Sequence, residues 1–94
     1  MSDGLARQGD YESASNALVS GLKTYPDNAN LWVALGNMLI YKAEGAVSPA
    51  AAYSYEQAMR VAPANLAAPY FYGLALAQSG QYDAARKLWA ALYA

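Results

Sequence analysis

The sequence predicts an all-α protein that stacks repeated helix pairs, and three observations support this prediction. Two stretches share one spacing of large and small residues: Trp32-x2-Leu35-Gly36-x2-Leu39 and Pro69-x2-Tyr72-Gly73-x2-Leu76. Each stretch is followed by an alanine with an aromatic residue four positions later: Ala51-x3-Tyr55 and Ala85-x3-Trp89. Segments with proline and asparagine separate the copies. Such self-similarity is typical of helix pairs that bury their apolar faces only by stacking on one another.

The spacing of the two copies resembles the tetratricopeptide repeat, whose pattern is W-x2-L-G-x2-Y, then A-x3-F and a terminal proline. Ala51 and Ala85 lie 34 residues apart, which is the usual period of that repeat. Gly36 and Gly73 lie 37 residues apart, so three extra residues fall between Leu39 and Ala51. The resemblance implies an α-solenoid of about two and a half helix-turn-helix repeats, wound as a right-handed superhelix.

One domain of 94 residues is expected, and it divides into three units. An incomplete first copy reads Gly9-Asp10-Tyr11-x2-Ala14-x3-Leu18. Repeat 1 is therefore partial and covers 1–28, repeat 2 covers 29–65 with the three-residue insertion, and repeat 3 covers 66–94. Because the first copy lacks most of its first helix, we expect this chain to be a piece of a longer protein.

The local signals predict a short helical remnant over Ser2–Gln8, a turn at Gly9-Asp10-Tyr11, and then five helices. Asp10 is a candidate N-cap for the first of them, Asn28 or Asn30 for the second, and Ser48 before Pro49 for the third. The predicted helices are Asp10–Thr24, Asn30–Ala43, Pro49–Val61, Leu66–Ser79 and Tyr82–Tyr93. No strand is expected. The buried core is expected to include Trp32, Leu35, Tyr55, Tyr72, Leu88 and Trp89.

Composition argues against several classes of function. The chain has no cysteine and no histidine, which excludes Ser-His-Asp and Cys-His nucleophile systems and the usual zinc sites. Seven scattered carboxylates form no close catalytic pair. A net charge of −1 gives no basic field for nucleic acid. We therefore expect no enzyme, no catalytic residue, no metal, no cofactor, no nucleic-acid partner and no membrane contact from this chain.

A narrower resemblance rests on three further stretches of the chain. They are Leu31-Trp32-x2-Leu35-Gly36, Gly45-x-Val47-Ser48-Pro49-Ala50-Ala51 and Ala68-Pro69-Tyr70-Phe71-Tyr72-Gly73-Leu74-Ala75, followed by the ending Gly80-x-Tyr82-x2-Ala85-x3-Trp89-x2-Leu92. Together they resemble the periplasmic tetratricopeptide domain of bacterial cytochrome c biogenesis proteins of the CcmH/CcmI/NrfG type. That resemblance implies a domain of a membrane-anchored parent that binds the C-terminal helix of apocytochrome c and delivers it to the haem-ligation subunits. A cytoplasmic location stays open.

The concave surface of such a stack is formed by the first helix of each pair, and it is the candidate binding site. The lining is expected to be apolar and aromatic, with one amide in the middle. The candidate peptide-binding residues are Asn30, Val33, Asn37, Ile40, Tyr41, Tyr70, Leu74 and Gln78. Ala77 belongs to the same face, and the remnant is expected to add Asp3 and Arg7. A groove of this kind suits an amphipathic helix that docks through apolar anchors.

A second interpretation stays open beside the chaperone-like one. The chain can also be a generic tetratricopeptide scaffold, or a module that pairs with another copy of itself. Apolar faces left at the ends of the stack, on Ser2–Gln8 or Tyr82–Tyr93, are expected to favour a homodimer. The insertion over 42–48 has no role that the sequence assigns.

Overall fold

The computed structural model describes the backbone of residues 3–93 and the side chains of residues 11–92, and within these ranges the chain is all-α. The helices are α1 (Asp3–Thr24), α2 (Ala29–Lys42), α3 (Pro49–Val61), α4 (Ala67–Gln78) and α5 (Tyr82–Tyr93). The described part of the chain contains no strand. The molecule measures 48 × 33 × 17 Å, so it is elongated and thin. None of the described helices is long and apolar enough to cross a membrane.

Two of the helices begin at side-chain caps that the sequence indicates. The Asn28 side chain accepts a hydrogen bond from the backbone N–H of Leu31 at 3.3 Å. The Ser48 hydroxyl accepts one from the N–H of Ala51 at 3.2 Å, and Pro49 occupies the first turn of α3. These caps satisfy amide groups that have no partner inside the helix. They place the starts of α2 and α3 within one residue of the prediction.

α2 and α4 are each followed by a residue with a positive φ angle, which is glycine only after α4. Beyond α4, Gly80 has a φ of 88° and the N–H of Gln81 donates to Leu76. Beyond α2, Glu44 has a φ of 55° and the N–H of Gly45 donates to Ile40 at 2.9 Å. A left-handed residue after a helix turns the chain back and satisfies its last carbonyls. This turn accommodates the inserted residues at the α2–α3 connection.

The prediction of a remnant helix and a turn at Gly9-Asp10-Tyr11 is wrong. α1 runs without interruption from Asp3 to Thr24, so Asp10 lies inside a helix and does not cap one. The physical reason is that a single glycine inside a helix costs only about 1 kcal/mol, and no proline enforces a break. Ser2 lies outside the described residues.

The helices pack mainly on their neighbours in the sequence. α1 packs on α2, α2 on α3, α3 on α4 and α4 on α5, while α4 also contacts α2. One buried cluster contains Ile40, Ala51, Tyr55 and Ala75, and a second contains Val33, Ala58 and Ala68. Both clusters join α2, α3 and α4. The core therefore lies where these three helices meet.

Each of the two helix hairpins, α2–α3 and α4–α5, brings a glycine against an aromatic ring. A Cβ atom added to Gly36 would lie 2.7 Å from Cε1 of Tyr55. One added to Gly73 would lie 2.1 Å from Nε1 of Trp89. Both distances are too short for a side chain. The two hairpins are thus closed by the same kind of contact, between the glycine of the first helix and the aromatic residue of the second.

The predicted core residues are buried to different degrees. Tyr55 is 1% exposed and Leu35 is 8% exposed, which confirms these two. Trp32, Tyr72, Leu88 and Trp89 are partly exposed, but most of each residue is buried, as the sequence predicts. Trp89 belongs to α5, the last of the described helices, which contacts no described helix except α4. Side chains at such an end keep contact with solvent on one side.

Candidate functional site

The predicted binding face contains a groove between α2 and α4, with α3 beneath it. We call it the central groove, and its volume is about 250 Å³. The lining residues are Asn37, Ile40, Tyr41, Tyr55, Phe71, Leu74, Ala75 and Gln78. None of these side chains carries a charge at neutral pH, and four of them bear amide or hydroxyl groups. The groove is therefore uncharged but less apolar than the sequence predicts.

The amide of Asn37 is held by a hydrogen bond at the floor of the groove. The Tyr55 hydroxyl donates to Oδ1 of Asn37 at 2.6 Å. Tyr55 belongs to α3, and it reaches Asn37 because Gly36 leaves room for its ring. With the oxygen occupied, the amide nitrogen of Asn37 is the group that can turn to a ligand, and it only donates. The central groove therefore presents the amide N–H of Asn37 as a hydrogen-bond donor. The bond from the Tyr55 hydroxyl to the amide oxygen fixes the orientation of this donor.

The Tyr55 ring also joins the groove to the core. It stacks on Tyr72 of α4, with ring centroids 5.3 Å apart and an angle of 15° between the planes. Burial, with a smaller contribution from the neighbouring Tyr41, raises the pKa of Tyr55 from 10.0 to about 12. Burial, followed by the charge of Glu56, raises the pKa of Tyr72 as well. The hydroxyl of Tyr55 thus remains a proton donor to Asn37 across the physiological range.

At one end of the groove, α1 supports Tyr41. The rings of Tyr11 and Tyr41 stack with centroids 5.8 Å apart and planes 13° apart. Beside them, Nζ of Lys42 lies 3.7 Å from a carboxylate oxygen of Glu12, with both groups largely in solvent. An exposed pair of this kind contributes about 0–1 kcal/mol. Stacking is therefore the main contact that orients Tyr41, whose side chain remains 58% exposed.

Five of the eight candidate residues from the sequence lie together in the central groove: Asn37, Ile40, Tyr41, Leu74 and Gln78. Val33 does not line it, because it is buried against Ala58 and Ala68. Asn30 is exposed at the start of α2, outside the groove lining.

Tyr70 also lies outside the lining; it is 54% exposed and packs edge-on against the ring of Phe71 at 5.3 Å. Ala77 does not line the groove either. The side chains of Asp3 and Arg7 lie outside the described residues.

Sequence reasoning missed three lining residues, Tyr55, Phe71 and Ala75. The sequence places Tyr55 in the core, because the second helix of each pair is not expected to reach the binding face. The signal for it was present: a glycine at position 36 leaves a space that an aromatic side chain of α3 can enter. Phe71 and Ala75 each follow a residue of the predicted binding face, Tyr70 and Leu74. The prediction misses them because it assumes a different rotation of α4 about its own axis.

The insertion between α2 and α3 contacts the core and not only solvent. Val47 packs against the cluster of Ile40, Ala51, Tyr55 and Ala75. This cluster includes residues that form the floor of the central groove. The inserted segment therefore supports the end of the groove where Ile40 lies.

The comparisons with protein-family models, with curated proteins and with solved structures gave no match to this chain. The family resemblance consequently rests on the spacing of residues in the sequence alone.

Proposed function

We propose that this chain is a tetratricopeptide-type binding domain whose central groove holds an amphipathic helix of another protein. In this proposal it acts as a chaperone for apocytochrome c during cytochrome c maturation, as the periplasmic domain of a membrane-anchored bacterial protein. The observation that carries the binding role is the uncharged groove with a single oriented amide donor, that of Asn37. The cytochrome partner is suggested by the resemblance of the sequence.

The groove offers two kinds of contact to such a helix. Ile40, Phe71 and Leu74 provide apolar surface for one or two side chains spaced three or four residues apart on the ligand. The amide nitrogen of Asn37 donates to an acceptor of the ligand, and Gln78 provides a second amide among the lining residues. Apolar contact supplies most of the affinity, while the oriented donor selects the register of the bound helix.

The absence of charge among the lining residues predicts that salt affects binding little. Interactions between exposed charges are screened over about 8–10 Å at physiological ionic strength, whereas apolar burial is not. Tetratricopeptide domains that hold acidic peptide tails would instead place lysine or arginine at these positions. The residues that line the central groove here include neither lysine nor arginine.

A peptide titration tests the proposal. A fluorescent peptide of an apocytochrome c C-terminal helix is titrated against the domain at two salt concentrations, with a scrambled peptide as reference. Leu74→Ala should weaken binding by about 1–2 kcal/mol and Asn37→Ala by about 1 kcal/mol. Asn30→Ala is the matched control, because this asparagine lies on the same helix outside the groove.

Equal affinity for the scrambled peptide, or equal effects of Asn30→Ala and Asn37→Ala, would contradict the groove as the binding site. If the groove bound some other amphipathic helix but not the cytochrome peptide, the role in cytochrome c maturation would be excluded. The second candidate function, that of a general scaffold, would then remain. The exposed tyrosines, such as Tyr25 and Tyr82, favour a further contact surface in that case. Self-association through α5 has less support, because Asp83, Arg86 and Lys87 are exposed on that helix.

A further inference from the structure

The size of the central groove limits what part of a partner can enter it. Its volume of about 250 Å³ lies below the range of about 300–1,000 Å³ that whole small-molecule ligands occupy. An α-helix with its side chains is about 10–12 Å wide, so a helix that docks on the groove sends single side chains to its floor. The polar groups among the lining residues decide which side chain is accepted there.

The groove lies between the C-terminal turns of two helices that run in the same direction, because α3 connects them through two short turns. Asn37 and Tyr41 belong to the last two turns of α2, and Leu74 and Gln78 to the last two turns of α4. The C-terminal end of a helix carries a partial negative charge. Two such ends meet at the groove, which disfavours an anion in it.

Among the described lining residues, no cation offsets this negative end. They include neither lysine nor arginine. Lys42 follows the lining residue Tyr41 in the sequence, but its amino group pairs with Glu12 at 3.7 Å in solvent. A carboxylate that entered the groove would lose its water without gaining a counter-charge, which is costly. The groove is therefore expected to reject the side chains of glutamate and aspartate.

A basic side chain meets a different obstacle, the amide of Asn37. The amide oxygen accepts the hydroxyl proton of Tyr55, which is 1% exposed, so this bond lies beneath the surface of the groove. Asn37 itself is partly exposed, and its amide nitrogen requires an acceptor. Lysine and arginine side chains carry donors only. They leave Asn37 unpaired, as a purely apolar side chain also does, and an unpaired buried donor lowers affinity.

A carboxamide meets all of these conditions, because it is neutral and has both an acceptor and a donor. Its oxygen can accept from the N–H of Asn37 on α2. Its NH₂ group can donate to the amide oxygen of Gln78 on α4, which is exposed and lines the same groove. Glutamine suits the site better than asparagine, since its two methylene groups can pack between Ile40 and Leu74.

On the basis of the proposed function, in which the groove holds an amphipathic helix, we propose that the central groove selects a glutamine side chain on the apolar face of that helix. Asn37 is the residue that determines this specificity, and Gln78 supplies the second hydrogen bond. Tyr55 is a positioning residue, because it holds the amide of Asn37 in the orientation that donates to the ligand.

A series of designed peptides tests this specificity. Each is a fluorescent amphipathic helix with leucine on its apolar face and one guest residue, whose position is moved along that face. The guests are glutamine, glutamate, lysine and leucine, and fluorescence anisotropy with the whole chain measures the affinity. At one guest position glutamine should bind about tenfold tighter than glutamate, and about threefold to fivefold tighter than lysine or leucine. At the other positions leucine should bind at least as tightly as glutamine.

Variants of the protein test which residues face the guest. Asn37→Asp keeps an acceptor for the Tyr55 hydroxyl but replaces the amide donor by a carboxylate. It should make lysine the preferred guest at that position and glutamate the weakest. Asn30→Asp is the matched control, because it makes the same change of charge on α2 outside the groove, and it should leave glutamine preferred. Gln78→Leu should reduce the preference for glutamine over leucine about threefold.

The outcomes distinguish failure of this inference from failure of the proposed function. Equal affinities for glutamine and glutamate, or tightest binding of lysine or leucine at every guest position, would overturn the glutamine preference while the peptides still bind the groove. Equal responses to Asn37→Asp and Asn30→Asp would overturn the role of Asn37. If no peptide of the series bound, the proposed function would be wrong, and the glutamine preference with it.

Discussion

The two helix hairpins of the molecule carry the same sequence pattern but bury it differently. In α2–α3, the aromatic residue after the shared spacing is Tyr55, which is 1% exposed and packs against Gly36. In α4–α5 the corresponding residue is Trp89, which packs against Gly73 and remains partly exposed. The difference arises because α4 covers the α2–α3 hairpin, while the described chain places no helix beyond α5.

The hydrogen bonds of the two aromatic residues differ in the same sense. The Tyr55 hydroxyl donates to a side chain of the candidate site, that of Asn37. The Trp89 indole N–H donates to a backbone carbonyl, that of Pro69, at 3.2 Å. The same position of the shared pattern thus serves closure alone in α4–α5, and closure together with orientation of the Asn37 amide in α2–α3. Position in the fold, and not the local pattern, decides which role a residue takes.

The largest effect that separates the hairpins should come from truncating these aromatic side chains. Tyr55→Ala should lower the free energy of unfolding by about 3–5 kcal/mol, because it leaves a cavity where three helices meet. Trp89→Ala should lower it less, by about 2–3 kcal/mol, since part of this ring already contacts solvent. Urea denaturation followed by circular dichroism measures both values. If Trp89→Ala were the more damaging change, the assignment of the core to the central hairpin would be wrong.

A smaller effect should follow from adding one methyl group at each closing glycine. Gly36→Ala and Gly73→Ala should each destabilise the protein by about 1–3 kcal/mol through overpacking against a ring. The contact at Gly73 is the tighter of the two, but α5 can shift outward, so Gly36→Ala should cost at least as much. The same denaturation experiment measures the difference.

Gly21→Ala provides a matched control for the two closing glycines. This glycine lies within α1, and an added Cβ would meet only the two terminal methyl groups of Leu31, at 3.3 and 3.8 Å. The change should be neutral or stabilising by up to about 1 kcal/mol, because alanine favours the helix. A destabilisation equal to that of Gly36→Ala would mean that helix geometry, and not the aromatic contact, explains the effect.

The smallest effect is a dependence of the free energy of unfolding on pH, which Tyr55 should confer on the α2–α3 hairpin. Because burial raises the pKa of Tyr55 from 10.0 to about 12, the folded state favours its neutral form. The resulting stability is fully present below pH 10 and is lost progressively as the pH rises from 10 through 12. Tyr55→Phe should therefore lose less stability over this interval than the parent protein, although it starts about 1 kcal/mol lower without the bond to Asn37. Urea denaturation at pH 8, 10 and 11 measures this, and parallel profiles would contradict it.

The sequence predicts most of the helices well because their ends carry local chemistry. The bounds of α3 and α5 agree with the prediction, and those of α2 and α4 differ by one residue at each end. α1 was predicted poorly because Gly9-Asp10-Tyr11 resembles Gly80-Gln81-Tyr82, which does form a turn. Gly80 adopts a φ of 88°, a conformation that ends a helix, whereas the segment around Gly9 stays helical. Sequence similarity alone does not distinguish the two.

The candidate site was predicted less completely, since its geometry depends on contacts between distant parts of the chain. The helical period places Asn37 and Tyr41 on one face of α2, and both line the central groove. The same period places Val33 near that face, but α2 is covered by both α3 and α4 there, so Val33 is buried. The bond from Tyr55 to Asn37 joins residues 18 positions apart, which no local pattern reveals.

The order of helix contacts has a consequence for how the chain folds. Every helix contact except that between α2 and α4 joins neighbours in the sequence, so little chain entropy is lost before each contact forms. We expect fast folding that begins at α2–α3 and extends in both directions, as nearest-neighbour coupling in stacked helices implies. The end helices α1 and α5 then open first, and amide hydrogen exchange faster at α3 than at α5 would contradict this order.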